Sequence, residues 1–96
     1  MTEPEFSVLT TSHFDRLLKK LLRAHSDLVG RFEEAVAILS SDPYNKSRKH
    51  PIRKLDGVGA GEGQYRLCSG RFRFRYDIEG REVVLHYCGL RREDTY

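Results

Sequence analysis

Apolar residues near the start of the chain repeat with the period of an α-helix. They fall on one side of a helical wheel, and charged residues occupy the other side. The apolar members are Phe14, Leu17, Leu18, Leu21 and Leu22. Thr11 and Ser12 precede them and are residue types that commonly cap a helix. The pattern predicts an amphipathic helix, with a short β-strand before it over 6–10.

A second apolar stripe at helical spacing follows a break at 25–27. Its members are Leu28, Phe32, Ala35, Val36 and Leu39. Ser26 or Asp27 can cap this second helix. Asp42 and Pro43 end it, because proline cannot continue a helix and pushes the preceding residue toward extended geometry. The two helices are predicted to form an αα-hairpin.

The segment 44–64 is polar and basic, and Pro51 and several glycines interrupt it. Ile52 and Leu55 are its expected apolar anchors to the core. The segment is predicted to be a long, partly mobile loop. A connection of this length in a compact domain is often functional, but a flexible crossover would have the same sequence pattern.

Apolar and polar residues alternate in the last third of the chain, as they do in β-strands with one buried face. Strands are predicted over 64–68, 71–78 and 82–89. The two-residue turns 69–70 and 79–80 each contain a glycine and connect the strands as a meander. The element order β-α-α-β-β-β describes an α+β fold. An antiparallel meander sheet then has the αα-hairpin packed on one face and leaves its other face open.

Length and composition fit a single small domain. The chain has 96 residues, of which 39% are hydrophobic, and this is enough for one domain, 1–96, with one modest core. No apolar run approaches the ~20 residues that cross a bilayer, and the first residues are acidic rather than a signal sequence. We therefore expect a cytoplasmic protein without a membrane partner.

Tight turns decide which side chains share a face of the predicted sheet. They place Arg66 opposite Arg73 and Arg73 opposite His86, so that three potential cations form a straight row. The apolar face, expected to pack on the helices, carries Tyr65, Leu67, Phe72, Phe74, Tyr76, Val83, Leu85 and Tyr87. The open face carries Arg66, Cys68, Arg71, Arg73, Arg75, Asp77, Val84, His86 and Cys88. Cys68 and Cys88 then lie about 10 Å apart, too far for a disulfide, and their spacing matches neither a zinc site nor a redox motif.

The distribution of positive charge says more than its total. The chain has 17 Lys and Arg against 14 Asp and Glu, a net charge of +3, which alone is weak evidence for a polyanionic partner. Four arginines, without lysine or glutamate, occupy the open face between Arg66 and Arg75. A solvated surface is the usual explanation for a run of charge, but arginine has the planar fork that suits phosphate. We therefore favour an anion site, in which a bound anion or Asp77 offsets the repulsion between neighbouring cations.

Five runs in the chain form a recognisable set: YRL at 65–67, GRFRFRY at 70–76, LRREDTY at 90–96, DPY at 42–44 and KLDG at 54–57. Together with the element order they resemble the RelE/ParE toxin superfamily, and the similarity covers nearly the whole chain. The resemblance implies the toxin of a bacterial type II toxin-antitoxin pair, with a cognate antitoxin as its protein partner. For the RelE branch it implies an endoribonuclease, or mRNA interferase, that cuts messenger RNA in the ribosomal A site and needs no metal or other cofactor.

The resemblance also carries functional positions of the RelE branch onto Arg66, Arg73, Arg91 and Tyr96. We expect Arg66 and Arg73 to hold the scissile phosphate. Arg91 is expected to stabilise developing charge or the leaving oxygen. Tyr96 would orient the substrate or exchange a proton, although it could equally be an ordinary frayed terminus. His86 is the rival proton carrier, and a structural role is the alternative for it.

Other basic residues are predicted to bind the RNA backbone without reading its sequence. They are Lys49, Arg53, Lys54, Arg71 and Arg75. A solvated loop is the alternative explanation for the first three.

Two further functions stay open. A ParE-like inhibitor of DNA gyrase shares the fold but generally lacks the full basic and tyrosine set. A non-catalytic RNA-binding domain is the other alternative, since Cys68 stands where a second basic residue is often found.

Overall fold

The computed structural model describes residues 5–91 and places two helices against one face of a five-stranded sheet. The elements are β1 Ser7–Thr10, α1 Ser12–Ala24, α2 Leu28–Ser41, β2 Ile52–Lys54, β3 Tyr65–Ser69, β4 Phe72–Glu79 and β5 Glu82–Leu90. The strand order is β1-β5-β4-β3-β2, in which β1 runs parallel to β5 and the other neighbours are antiparallel. The predicted α+β fold is confirmed. Neither helix of this described part is long and apolar enough to cross a membrane.

The helix boundaries follow local chemistry. Thr11 caps α1, because its Oγ1 accepts a hydrogen bond from the backbone N–H of Phe14 at 3.0 Å. Asp27 occupies the cap position of α2 but makes no capping hydrogen bond with its side chain. Its carboxylate instead binds Arg71, which joins the start of α2 to the meander. The chain leaves α2 at Asp42, just before the proline, as the sequence predicts.

The core lies between the helices and the sheet. Its buried members are Phe14, Leu28, Ala35, Leu39, Leu67, Phe72, Phe74, Tyr76, Val83, Leu85 and Cys88. The ring of Phe14 packs against those of Phe32 and Phe74, with centroids 5.9 and 6.5 Å away. The buried hydroxyl of Tyr76 donates to the carbonyl of Pro43 at 2.7 Å. Burial raises the pKa of Tyr76, so this phenol keeps its proton and its structural hydrogen bond.

The prediction of a strandless loop over 44–64 was wrong in its middle. Residues 52–54 form an edge strand, in which Ile52 pairs with Leu67 and Arg53 with Arg66. A strand of three residues is too short to show a period of two, and the proline before it favours extended geometry without identifying a partner. The sheet therefore extends one strand beyond the predicted meander.

The first hairpin turns one residue later than predicted. Ser69 pairs with Phe72, so that 70–71 forms the turn in place of 69–70. Gly70 has φ +60°, a left-handed conformation that favours glycine. The displacement changes which residues stand opposite one another, but it keeps the residues of this hairpin on their predicted faces.

The second hairpin is displaced in the same way, because Glu79 pairs with Glu82 and 80–81 forms its turn in place of 79–80. The straight row predicted over Arg66, Arg73 and His86 was therefore wrong, since Arg66 pairs with Arg75 and Arg73 pairs with Gly89. Arg66 instead stands opposite residues of the same charge on both of its neighbouring strands. The observed row crosses four strands through Arg53, Arg66, Arg75 and Tyr87. The open face is therefore more basic along one line than the sequence suggested.

A β-bulge in β5 reverses the alternation of its last residues. The pairing of β4 with β5 shifts between Arg75 and Tyr76, which leaves His86 as an extra residue. Beyond the bulge, Tyr87 turns to the open face, and Cys88 turns into the core with 1% of its surface exposed. The predictions that Tyr87 packs in the core and that Cys88 lies on the open face were wrong. A pattern with a period of two carries no signal for one inserted residue.

We predict that Cys88 reacts slowly with a thiol reagent in the folded protein, because the β-bulge turns its side chain into the core. Both cysteines are free, as expected, with Cys68 half-buried and Cys88 buried. Burial also raises the pKa of Cys88 to about 12, and the thiolate is the reactive form. In a Cys68→Ser variant at mildly alkaline pH, iodoacetamide should modify Cys88 slowly in the folded protein and quickly in concentrated urea. Equal rates in the two conditions, measured by mass spectrometry, would contradict the bulge.

Candidate nucleic-acid interface

The open face of the sheet carries a cavity of about 540 Å³ whose wall combines arginines with an aromatic ring. Its lining residues are Leu55, Asp56, Val58, Arg66, Arg73, Arg75 and Tyr87. Arg66 comes from β3, and Arg73 and Arg75 come from alternate positions of β4. Although Arg66 and Arg73 are not directly opposite, the structure brings both to one cavity, together with Arg75. The volume is in the range of sites for small ligands, ~300–1,000 Å³.

The electrostatics of the cavity favour an anion. Like charges on neighbouring strands repel because their side chains start only ~4.5–5.5 Å apart. Within 5–91, the buried Nε of Arg66 has no hydrogen-bond acceptor. A buried donor without an acceptor costs ~1–3 kcal/mol. A phosphate oxygen in the cavity would remove that cost and screen the repulsion at the same time.

Arg75 is held against the loop that precedes β3. Its Nε and Nη2 both donate to the carbonyl oxygen of Gly63, at 3.2 and 3.0 Å. Gly63 has φ +84°, and a Cβ built on it would lie 2.9 Å from the Cβ of Arg75. Only glycine allows the backbone to approach the arginine this closely. Arg75 therefore brings its charge to the cavity, while its Nε and Nη2 each donate one hydrogen bond to the backbone of the loop.

Asp77, on β4, holds the same loop through hydrogen bonds to its carboxylate. Its side chain is buried and accepts hydrogen bonds from three backbone N–H groups within 61–64. Gly61 and Gly63 donate to Oδ2 at 2.9 and 3.1 Å, and Gln64 donates to Oδ1 at 2.9 Å. This end of the predicted mobile loop is therefore anchored to β4. The sequence did not predict this role of Asp77, because no sequence pattern indicates that the backbone N–H groups of the glycine-rich loop lie beside its carboxylate.

His86 faces this anchor rather than the cavity. Its Nε2 lies 3.0 Å from Oδ2 of Asp77, outside hydrogen-bond alignment. The imidazole lines a neighbouring cavity of about 520 Å³ that shares Arg75 and Tyr87 with the first. The histidine proposed as a proton carrier is thus next to the arginine cavity but does not form its wall.

Arg71 and Arg91 lie elsewhere. Arg71 is a turn residue, not a member of the open face as predicted, and its Nη2 donates to Oδ1 of Asp27 at 2.9 Å. The backbone N–H of Arg91 donates to the carbonyl of Arg71 at 2.9 Å. Both side chains line a separate cavity of about 440 Å³ with His25 and Leu90. The turn shift explains this placement, because it moves Arg71 from the strand into the connection.

The remaining predicted residues are scattered. Tyr96 lies outside the described residues. Arg53 extends the arginine row at the edge strand, whereas Lys54 faces the opposite way, with its Nζ 5.8 Å from the ring centroid of Tyr65. Lys49 is exposed in the loop before β2. Of the three loop cations, Arg53 is therefore the one that continues the open face.

We predict that Asp77→Ala destabilises the protein by about 2–4 kcal/mol, because it leaves backbone donors of Gly61, Gly63 and Gln64 without their acceptor. The control is Asp56→Ala, which removes an exposed carboxylate from the same loop and should cost less than about 0.5 kcal/mol. Urea unfolding gives both values. Amide hydrogen exchange at the three donors should accelerate only in the Asp77 variant, and unchanged exchange there would contradict the anchor.

We predict that Arg71 controls the titration of Asp27. The hydrogen bond from Arg71 lowers the pKa of this exposed carboxyl below its ordinary value. Any stability from the pair is therefore present above the ordinary carboxyl pKa and is lost as the pH falls through the lowered one. Carboxyl ¹³C NMR should show the pKa of Asp27 rising in Arg71→Ala and unchanged in Arg75→Ala. The same Asp27 pKa in the wild type and in Arg71→Ala would contradict the ion pair between the two side chains.

Comparison with known proteins adds one structural likeness. No protein-family model and no curated protein sequence matches the chain. The fold is similar to a chain in the crystal structure of an archaeal RelE–RelB complex from Pyrococcus horikoshii OT3. The TM-score is 0.66 and the identity is 25%, over 91% of this chain and 96% of that one. The likeness, together with the α+β architecture, supports placing this chain in the RelE-like toxin superfamily.

Proposed function

We propose that this chain is the toxin of a type II toxin-antitoxin pair and cleaves messenger RNA on the ribosome as a metal-independent endoribonuclease. The observation that carries the proposal is the cavity in which Arg66, Arg73 and Arg75 surround one volume on the uncovered face of the sheet. The likeness to a chain of the RelE–RelB complex supports the toxin assignment and a protein antitoxin as partner.

The arginines suit the chemistry of RNA cleavage by the ribose 2′-hydroxyl. That reaction must align the hydroxyl with the neighbouring phosphorus and neutralise the extra negative charge of the phosphorane. Arg66 and Arg73 would donate to the phosphate oxygens. The Nε of Arg66, which has no acceptor among residues 5–91, would be one of these donors. Arg75 would add charge from a position fixed by Gly63. Charge neutralisation of this kind needs no proton transfer from the guanidinium groups.

Proton transfer requires other groups. His86 lines the neighbouring cavity, 3.0 Å from the buried carboxylate of Asp77, and would accept the 2′-hydroxyl proton of a nucleotide that reaches past Arg75 and Tyr87 into that cavity. Tyr96 is the alternative acceptor or a substrate-orienting residue. Arg91, which lines the separate cavity with His25 and Leu90, would stabilise charge on the leaving oxygen of a substrate that extends along the end of β5.

The basic row also supports contacts away from the scissile phosphate. Arg53 extends the line of cations to the sheet edge, and Lys49 adds exposed charge in the preceding loop, whereas Lys54 would contact RNA only where the strand passes around that edge. Such contacts would bind the RNA backbone with an affinity that falls as the salt concentration rises. An antitoxin segment rich in acidic residues would compete for the same face.

We predict that Arg73→Ala lowers messenger cleavage in a translation extract by about 10²- to 10³-fold, because it removes a donor aimed at the transition-state charge. Arg81→Ala, which removes an exposed arginine from the turn between β4 and β5, should cleave like the wild type. Primer extension on the messenger reports the cuts, and circular dichroism confirms that both variants fold.

The same preparations should be tested for inhibition of gyrase supercoiling. Cleavage by the wild type that disappears in Arg73→Ala supports the ribonuclease. Inhibition of gyrase without cleavage would replace it with the ParE-like function, and RNA binding without either activity would leave a non-catalytic domain.

A further inference from the structure

Tyr87 lies along its strand instead of standing away from the sheet. A Cβ built on Gly89 would collide with the Tyr87 hydroxyl and would lie 2.9 and 3.1 Å from two carbons of its ring. Residues 87 and 89 are two steps apart on one face, ~6.6 Å along the strand. A side chain perpendicular to the sheet could not reach that far. The ring therefore extends across the backbone of Gly89, which only glycine permits.

This placement puts an aromatic surface beside the arginines. Tyr87 pairs directly with Arg75, and Arg66 begins two strand spacings away, about 10 Å. The same cavity has two aliphatic side chains, Leu55 and Val58, in its lining. A volume walled by cations and by apolar and aromatic groups fits a ligand that is itself divided into an anionic part and a flat, weakly polar part.

We propose that Tyr87 is the base-contacting residue of this cavity, and that its ring stacks on the nucleobase whose neighbouring phosphate Arg66 and Arg73 bind. The inference rests on the proposed function, since it takes RNA as the ligand. The base must be unpaired to reach the ring, so the ligand class is a single-stranded nucleotide segment. Stacking accepts every base because each has a π-face, and it adds affinity that phosphate contacts alone do not supply.

The bulge at His86 is what makes this contact available. Without the extra residue, Tyr87 would point into the core and Cys88 would lie among the arginines. One inserted residue thus replaces a small thiol with a large aromatic ring at the end of the arginine row. Gly89 then gives that ring room to lie on the sheet and form a wall of the cavity.

The test measures binding of two RNA trinucleotides with 2′-O-methyl sugars, which cannot be cleaved. One carries 2-aminopurine as its central base, and the other has an abasic site at that position. Tyr87→Ala should weaken binding of the first by about 5- to 150-fold, the usual range for loss of one stacked base, and leave the second unchanged. Tyr87→Phe keeps the ring and should bind both like the wild type. The wild type should also quench 2-aminopurine fluorescence on binding, and Tyr87→Ala should not.

Gly89→Ala is the matched variant, because it displaces the ring while keeping the tyrosine. It should reproduce the loss seen in Tyr87→Ala for the base-containing probe. Thermal unfolding is followed for every variant. Should Gly89→Ala fail to fold, the comparison of Tyr87→Ala with Tyr87→Phe decides the question by itself.

The outcomes separate this inference from the proposed function. Salt-sensitive binding that weakens in Arg73→Ala, together with equal affinities of Tyr87→Ala and wild type for the base-containing probe, overturns the stacking role alone. An equal loss on both probes in Tyr87→Ala also overturns it, because the side chain would then support the fold or the backbone contact. No binding of either probe by the wild type overturns both the stacking role and the RNA site.

Discussion

Repulsion between arginines on one face of the sheet is the constraint around which this structure is arranged. Arg66 stands between Arg53 and Arg75 on its neighbouring strands, and Arg73 lines the same cavity. Cross-strand pairs of like charge destabilise a sheet. The apolar face, where aromatic and aliphatic side chains are buried against two helices, stabilises the fold against this cost. The basic face contributes to the fold chiefly through the loop contacts of Arg75 and Asp77, and the proposed phosphate site uses the arginines beside them.

Two backbone features shape that face into a cavity. The buried carboxylate of Asp77 binds the loop before β3 through N–H groups of glycines, and the carbonyl of Gly63 positions Arg75. The bulge at His86 then brings Tyr87 alongside. The held Arg75 and the ring of Tyr87 lying on Gly89 suit the proposed recognition of a phosphate and a base, since less conformational entropy is lost when such groups bind.

The sequence predicts the architecture well because its signals there are local and periodic. The apolar stripe beginning at Phe14, the cap at Thr11 and the proline stop after Asp42 each depend on a few neighbouring residues. The site depends on features without a periodic signal. A turn moved by one residue places Arg75 instead of Arg73 opposite Arg66, and one inserted residue exchanges the faces of Tyr87 and Cys88. The convergence of Arg66 and Arg73 survives the turn shift because that shift preserves the alternation of faces.

The central claim is that the arginine cavity binds the phosphate of an RNA strand. The most direct measurement is an NMR titration of the arginine Nε–Hε groups with an uncleavable RNA dinucleotide at two salt concentrations. The account predicts that the signals of Arg66 and Arg73 shift together and saturably, with weaker binding at the higher salt concentration. Shifts confined to exposed cations such as Arg16 and Arg81, with Arg66 and Arg73 unmoved, would contradict it.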